Sequence, residues 1–450
     1  MLRLLNIWDS LRGSFWFLPS LLTVLAAGLA VGLLVLDRRA GEELTESLWL
    51  YAGGAEGARS LLSAVAGSII TVVGLAFSIT IVSLQLAAAQ LGPRLLRSFV
   101  RDPGNQVVLG TFVATFVYCL IVLRTVQGRD GLSDGTFVPH LAVTGAVVLA
   151  LLSVALLIYF IHHASTSIQA DRVIAGVATD LDRAIDALFP ERLGREEPAD
   201  PPPGPSHGGD DGARVATSGH GYVTSIDGDA LMKAAGKADV LIRLLRRPGD
   251  FAIVGEPLAR VVPGERLDDD LARAIDQAFM LGPERTFIQD VFFGVEQLVE
   301  IAERALASSH IDPTTARRCI DRLAAAIARV SDRRLPSPYR RDPAGTVRVV
   351  ASPPTLREFV GAAFTAIRLA GSDSRAVATH LLQTFERIAA LRDRRELHLA
   401  LLGEAVAIRR AAAQVFRDPS DREAVYEAFE RLLNVIRPDV RKIYDTQAAA

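Results

Sequence analysis

The chain has 450 residues, 50% of them hydrophobic and 22% charged, with a formal net charge of -2. This balance excludes a disordered tail and a nucleic-acid-coating protein, because the basic residues are nearly all arginine, are matched by acids and form no local patch. At about 150 residues per unit the length allows roughly three modules, and the apolar residues crowd into the first third.

Four segments, near 15–36, 61–89, 107–126 and 140–162, are apolar over the roughly 20 residues that a helix needs to cross a bilayer core of about 30 Å. The first opens on Phe15-Trp16-Phe17, an aromatic group suited to the interface, and closes on Asp37-Arg38-Arg39. No small-residue cleavage site follows it, so it reads as an anchor and not as a cleaved signal. Arg3 and Arg12 precede the first span, and Arg94, Arg97 and Arg101 fill the loop between the second and third. The excess of arginine puts both on the cytoplasmic side, so four spans return the chain to the cytoplasm.

The span interiors hold no Asp, Glu, Lys or Arg, which argues against a carboxylate-coupled pump. In the second span Gly67, Thr71, Gly74, Ser78 and Gln85 fall on one helical face, a small and polar stripe. The stripe suits either helix packing or the lining of a pore or ligand pathway. Gly28 and Gly32 in the first span, and Thr111, Thr115 and Cys119 in the third, read as packing faces. Cys119 and Cys319 lie too far apart in sequence to point to a disulfide framework or a cysteine-based metal site, and a reducing cytoplasm suits the part beyond the spans.

An amphipathic helix is expected over 165–188, followed by a flexible linker over 190–214 with Pro201-Pro202-Pro203 and Gly208-Gly209. Strand and turn signals then mark a small β unit over 215–263, interrupted by a helix near 228–236. Its Pro248-Gly249-Asp250-Phe251 pattern is similar to part of a lipoyl- or biotinyl-type barrel-sandwich. However, Lys233 precedes the Gly-Asp turn within a helical run, which argues against a carrier lysine. From Asp268 to Arg437 the period is helical, with Asp312-Pro313 as a cap and first turn and one strand-like piece at Thr346–Val350. Helices are expected over 354–370, 373–392, 395–417 and 420–436.

Catalytic and nucleotide-binding motifs are absent from the sequence, and its eight histidines never fall at a metal-ligand spacing on one helix. Glu284-Arg285 with Gln289-Asp290 forms a polar group at a helix start. Neither a cofactor nor an enzyme activity is expected.

The runs Gly74 to Gln85, Gly92-Pro93-Arg94-Leu95-Leu96-Arg97, Gly110 to Phe116, Gln289-Asp290 through Ile301-Ala302 and Asp312-Pro313 with Cys319-Ile320-Asp321 together resemble a known family. It is a bacterial family of predicted multi-pass membrane proteins classed as a domain of unknown function. Ser309-His310-Ile311 departs from the Gly-Ile-Asn that the resemblance leads one to expect before Asp312. The expected fold is a mainly α membrane protein: four transmembrane helices (1–163), a connecting helix (164–189), a linker (190–214), a small β domain (215–263), a helical domain (264–437) and a tail (438–450).

The expected setting is the bacterial inner membrane, with both termini cytoplasmic. The leading functional expectation is a homo-oligomeric channel or permeation protein for an ion or small ligand, with Gly67, Thr71, Gly74, Ser78 and Gln85 along its pathway. Arg94, Arg97, Arg101, Gln289, Asp290 and Asp312 are the candidate cytoplasmic interface residues. The alternative is a membrane-tethered sensor or scaffold that binds a ligand or protein through its cytoplasmic part.

Overall fold

The computed structural model describes residues 16–40, 51, 53–91, 103–126, 137–167, 170–189, 212–307, 312–333 and 335–449. The chain divides into two compact units, Met1–Gln169 and Ala170–Ala450.

The N-terminal unit contains α1 (Phe17–Ala40), α2 (Ala55–Leu91), α3 (Pro103–Thr125) and α4 (His140–Ser167). All four are long and apolar enough to cross a membrane. In the span of α3, 61% of the most apolar stretch is buried, against 17–22% in the other three, so α3 is the central helix. Small side chains let the helices approach: Ala26 and Ala30 of α1, Ala58 and Ala66 of α2, Ala114 of α3, and Ala142 and Ala146 of α4 share one core with Tyr118 and Val122. A second cluster joins Ile69 and Ala76 to Leu109, Phe112 and Phe160. Outward, Leu25, Leu75, Val82, Leu151 and Ile158 are exposed, as lipid-facing side chains are.

The C-terminal unit begins with α5 (Ala170–Leu188), whose buried edge Ile174, Val177, Leu181 and Ile185 packs on α8 (Val291–Ala307) and α9 (Pro313–Asp332). This helix is therefore built into the helical array and is more than a connector. The array continues through α10 (Leu356–Ala370), α11 (Arg375–Leu391), α12 (Arg395–Val415) and α13 (Pro419–Val435), around Phe359, Phe364, Phe385 and Phe429. Residues expected to form a tail make a further helix, α14 (Pro438–Ala449), with Val440 buried and Asp439 paired to Arg395. The linker expected over 190–214 lies outside the described residues as far as residue 211.

The strands are β1 (Ala213–Ala216), β2 (Gly221–Ile226), β3 (Leu241–Leu244), β4 (Phe251–Ala252), β5 (Pro257–Val262), β6 (Phe279–Gly282), β7 (Tyr339–Arg341) and β8 (Val347–Val350). They form two sheets, ordered β1-β5-β3-β8-β7 and β4-β2-β6. Two helices, α6 (Gly228–Ala238) and α7 (Asp269–Ala278), cover the shared core of Val223, Leu231, Ile242, Val261, Ile275 and Val349. The β unit therefore does not end at residue 263. β6 pairs antiparallel with β2, and β8 pairs parallel with β3. Lys233 lies on α6 and is exposed.

Candidate functional site

The five stripe residues of α2 all point away from the core of their own unit. Gly67, Thr71, Gly74, Ser78 and Gln85 are exposed, while Ala58, Leu62, Ala66, Ile69 and Ala76 form the inward face. A methyl group built on Gly67 or Gly74 meets nothing within 4 Å, and the same holds for Gly28 and Gly32 of α1. The glycines that pack within the unit are different ones: Gly110 lies against Pro19, and Gly145 against the Tyr118 hydroxyl. Thr115 and Cys119 of α3 are buried as expected for a packing face, and the Thr115 hydroxyl lies 3.1 Å from that of Ser153 on α4.

One end of the four-helix unit is tied by polar contacts. The Asp37 carboxylate accepts from the amides of Leu141 and Ala142 at 2.9 and 3.0 Å, capping the first turn of α4. Arg59 donates to the Val126 carbonyl at 2.9 Å, and the Tyr51 amide donates to the Thr144 hydroxyl at 3.0 Å. The bonds of Asp37 and Arg59 satisfy backbone groups that a helix end leaves open. Arg94, Arg97 and Arg101 lie outside the described residues.

In the C-terminal unit the structure places Gln289 and Asp290 at the joint between strands and helices. The Gln289 side chain accepts from the Ile226 amide at 2.8 Å and donates to the Ile226 carbonyl at 3.2 Å, which serves both free backbone groups at the end of β2. Asp290 is buried: its carboxylate takes the Arg285 Nε–H at 2.7 Å and the Phe293 amide at 3.2 Å, and so starts α8. Burial pushes the Asp290 carboxyl above the usual range, with Arg285 pulling the other way. Arg285 also reaches Glu296, so of the polar group read at this helix start its guanidinium holds Asp290, while Gln289 turns to the Ile226 backbone. Gly249 has φ +95° and packs on the Asp290 carboxylate, where a Cβ would lie 2.5 Å from Oδ2. A glycine is needed in this turn both for its backbone angle and for its close approach.

Asp312 lies elsewhere. Its oxygens accept from the amides of Thr314 and Thr315 and from the Thr315 hydroxyl, which holds the carboxyl below the ordinary range and occupies it as a helix cap. Among the described residues, no group of three or more His, Cys, Asp or Glu is placed to hold a metal ion.

Beside the Gln289-Asp290 joint lies a cavity of about 650 Å³ that no sequence motif announced. Its walls come from the end of α5, from β2 and α6, from the loop Leu244 to Asp250, from the start of α8 and from the segment 336–354. Three guanidinium side chains, Arg246, Arg247 and Arg340, line it beside largely apolar walls. Arg247 lies over the Phe292 ring at 5.5 Å and pairs with Glu358 at 3.1 Å. The sequence pattern Pro248-Gly249-Asp250-Phe251 marked the turn but not the arginines before it, because the opposite wall is supplied from as far away as residue 354.

Residues 12–387 match the model of a family described as "Predicted membrane protein (DUF2254)". An uncharacterised protein of Mycobacterium bovis and one of Mycobacterium tuberculosis are each 34% identical over 436 residues, covering 96% of this chain and 82% of the relative. No solved structure matches.

Proposed function

The chain belongs to the DUF2254 family of predicted membrane proteins, and on that premise we propose that it is a homo-oligomeric permeation protein of the bacterial inner membrane. In this proposal the C-terminal unit lies in the cytoplasm and regulates the pathway. One observation carries the reading: the stripe Gly67, Thr71, Gly74, Ser78 and Gln85 faces outward from a unit whose own core is filled by alanines and aromatics. The Thr71 hydroxyl already donates to the Gly67 carbonyl at 2.9 Å, but lipid tails offer no hydrogen-bond partner to an amide such as that of Gln85, and exposed glycines leave room for a neighbour. A symmetric set of copies would bring these stripes together around an axis, where water can reach them.

The test uses cysteines at Thr71, Ser78 and Gln85, compared with Leu75 and Val82, in a Cys119→Ala background. If the stripe lines a pathway, the first three react with small water-soluble thiol reagents and the other two react less, because the reactive thiolate forms where water reaches it. Ser78→Leu then lowers ion flux in liposomes with the oligomer intact. If instead no position labels selectively and Ser78→Leu breaks the assembly, the stripe is a packing face and the permeation reading fails.

A second reading, a membrane-tethered sensor or scaffold, is favoured by the cavity of the C-terminal unit. Absence of flux under voltage, pH or tension would select it.

A further inference from the structure

We propose that the cavity beside Gln289 and Asp290 is a binding site for a small neutral molecule with a largely apolar body. The proposal rests on the second reading above, that the C-terminal unit binds a ligand, and names the class of that ligand; it is independent of whether the membrane unit conducts. At about 650 Å³ the space lies within the roughly 300–1,000 Å³ typical of small-molecule sites.

Neutrality follows from the pairing of the wall's own polar groups. Arg247 is held by Glu358 at 3.1 Å and by the Phe292 ring, and Arg246 by Glu256 at 3.0 Å. The Nε of Arg246 is buried and closed to solvent, and so to the atoms of a ligand. Asp290 is taken by Arg285 and the Phe293 amide, and Asp250 accepts from the Arg247 amide at 2.9 Å. Gln289 spends both ends of its amide on the Ile226 backbone. Asp229 and Arg340 are exposed and keep their water. A charged ligand would therefore give up its hydration without meeting a free counter-charge inside.

The apolar body follows from the surface left uncovered. Leu188 at the end of α5, Met232 of α6, Leu244 of β3 and Phe292 of α8 converge on this space, and each remains only half-buried. A hydrocarbon or aromatic ligand would take that surface out of water, which is the favourable term open to this site.

The experiment is protection of introduced cysteines from iodoacetamide in the full-length protein, held in lipid nanodiscs in a Cys119→Ala, Cys319→Ser background. Met232→Cys and, separately, Leu188→Cys place a thiol on the wall from two different elements, and Lys237→Cys, exposed on α6 and outside the wall, is the control. The probes are neutral 2-acetylnaphthalene and its charged near-isosteres 2-naphthoate and 2-naphthylmethylammonium, each set to a known free concentration by dialysis. The neutral probe is expected to slow alkylation of both wall thiols saturably, with the same half-saturating concentration, and to leave Lys237→Cys unchanged. Each charged probe should need a concentration higher by about tenfold or more, because it buries a charge without a partner. Ala351→Cys, also on the wall, replaces either variant that fails to fold. Absence of protection by the neutral probe overturns the proposal together with the ligand-binding reading. Protection by a charged probe at an equal or lower concentration overturns the neutral class and leaves that reading standing. Different half-saturation at the two wall positions, or equal slowing at Lys237→Cys, overturns the shared site.

Discussion

Substituting alanine for Gly110 and, separately, for Gly74 measures which glycines hold the four-helix unit together. At Gly110 a new Cβ would lie 2.8 Å from Leu22 Cδ1 and 2.9 Å from Pro19 Cα. The leucine can rotate away, but the proline contact is backbone, so α1 has to move off α3. Overpacking of this kind costs about 1–3 kcal/mol. At Gly74 the new methyl meets nothing within 4 Å. Both substitutions gain the same helix propensity, about 1 kcal/mol over glycine, so that term cancels in the comparison. Gly110→Ala should therefore be less stable than Gly74→Ala by about 1–3 kcal/mol. The readout is labelling of Cys119, fully buried in this core, during titration with sodium dodecyl sulfate in a Cys319→Ser background. If Gly74→Ala exposes Cys119 at the same detergent fraction as Gly110→Ala, the assignment of inward and outward faces is wrong.

Three further outcomes are expected. Arg348 hydrogen-bonds Asp239 and Asp342 and holds both carboxyls below the ordinary range. Because their folded pKa values are depressed, the stability they contribute is present above the unfolded value of about 3.9 and is lost as pH falls through the folded values. The stability gap between wild type and Arg348→Met in urea unfolding should accordingly narrow from pH 5 towards about pH 2, and a gap independent of pH would contradict the linkage. Cys319 is fully buried and burial pushes its thiol up to about 12, so at pH 8 a disulfide reagent should modify it only after unfolding; rapid labelling of the native protein would refute its placement. For topology, reporters fused after Arg101 and after Asp186 should indicate the cytoplasm and one after Glu46 the periplasm, and the reversed pattern would overturn the orientation argued from the arginines.

The four spans and the amphipathic α5 were legible in the sequence as elements, as was the start of α9, and α10 to α13 were legible to within about two residues at their ends. A bilayer core sets a minimum length of apolar chain, and a 3.6-residue period needs only local spacing. The role of Asp312 was legible for the same reason, since a cap and the amides it serves lie within three residues of each other. Other features depended on partners remote in sequence. Which face of α2 turns inward is not written in its hydropathy, because lipid is as apolar as a neighbouring helix; Ala58, Ala66 and Ala76 face in and Leu75 and Val82 face out only because α3 and α4 lie where they do. β3 finds its parallel partner about a hundred residues later in β8, so no local pattern could show that the β unit extends past residue 263. The same holds for Gln289 and Asp290, read as polar residues at a helix start. Tertiary packing brought Ile226 and Gly249 to them and opened the arginine-lined cavity beside them. Sequence periodicity determines which surfaces must be buried, and the partner that buries each one is chosen by contacts between distant segments, which only the folded chain defines.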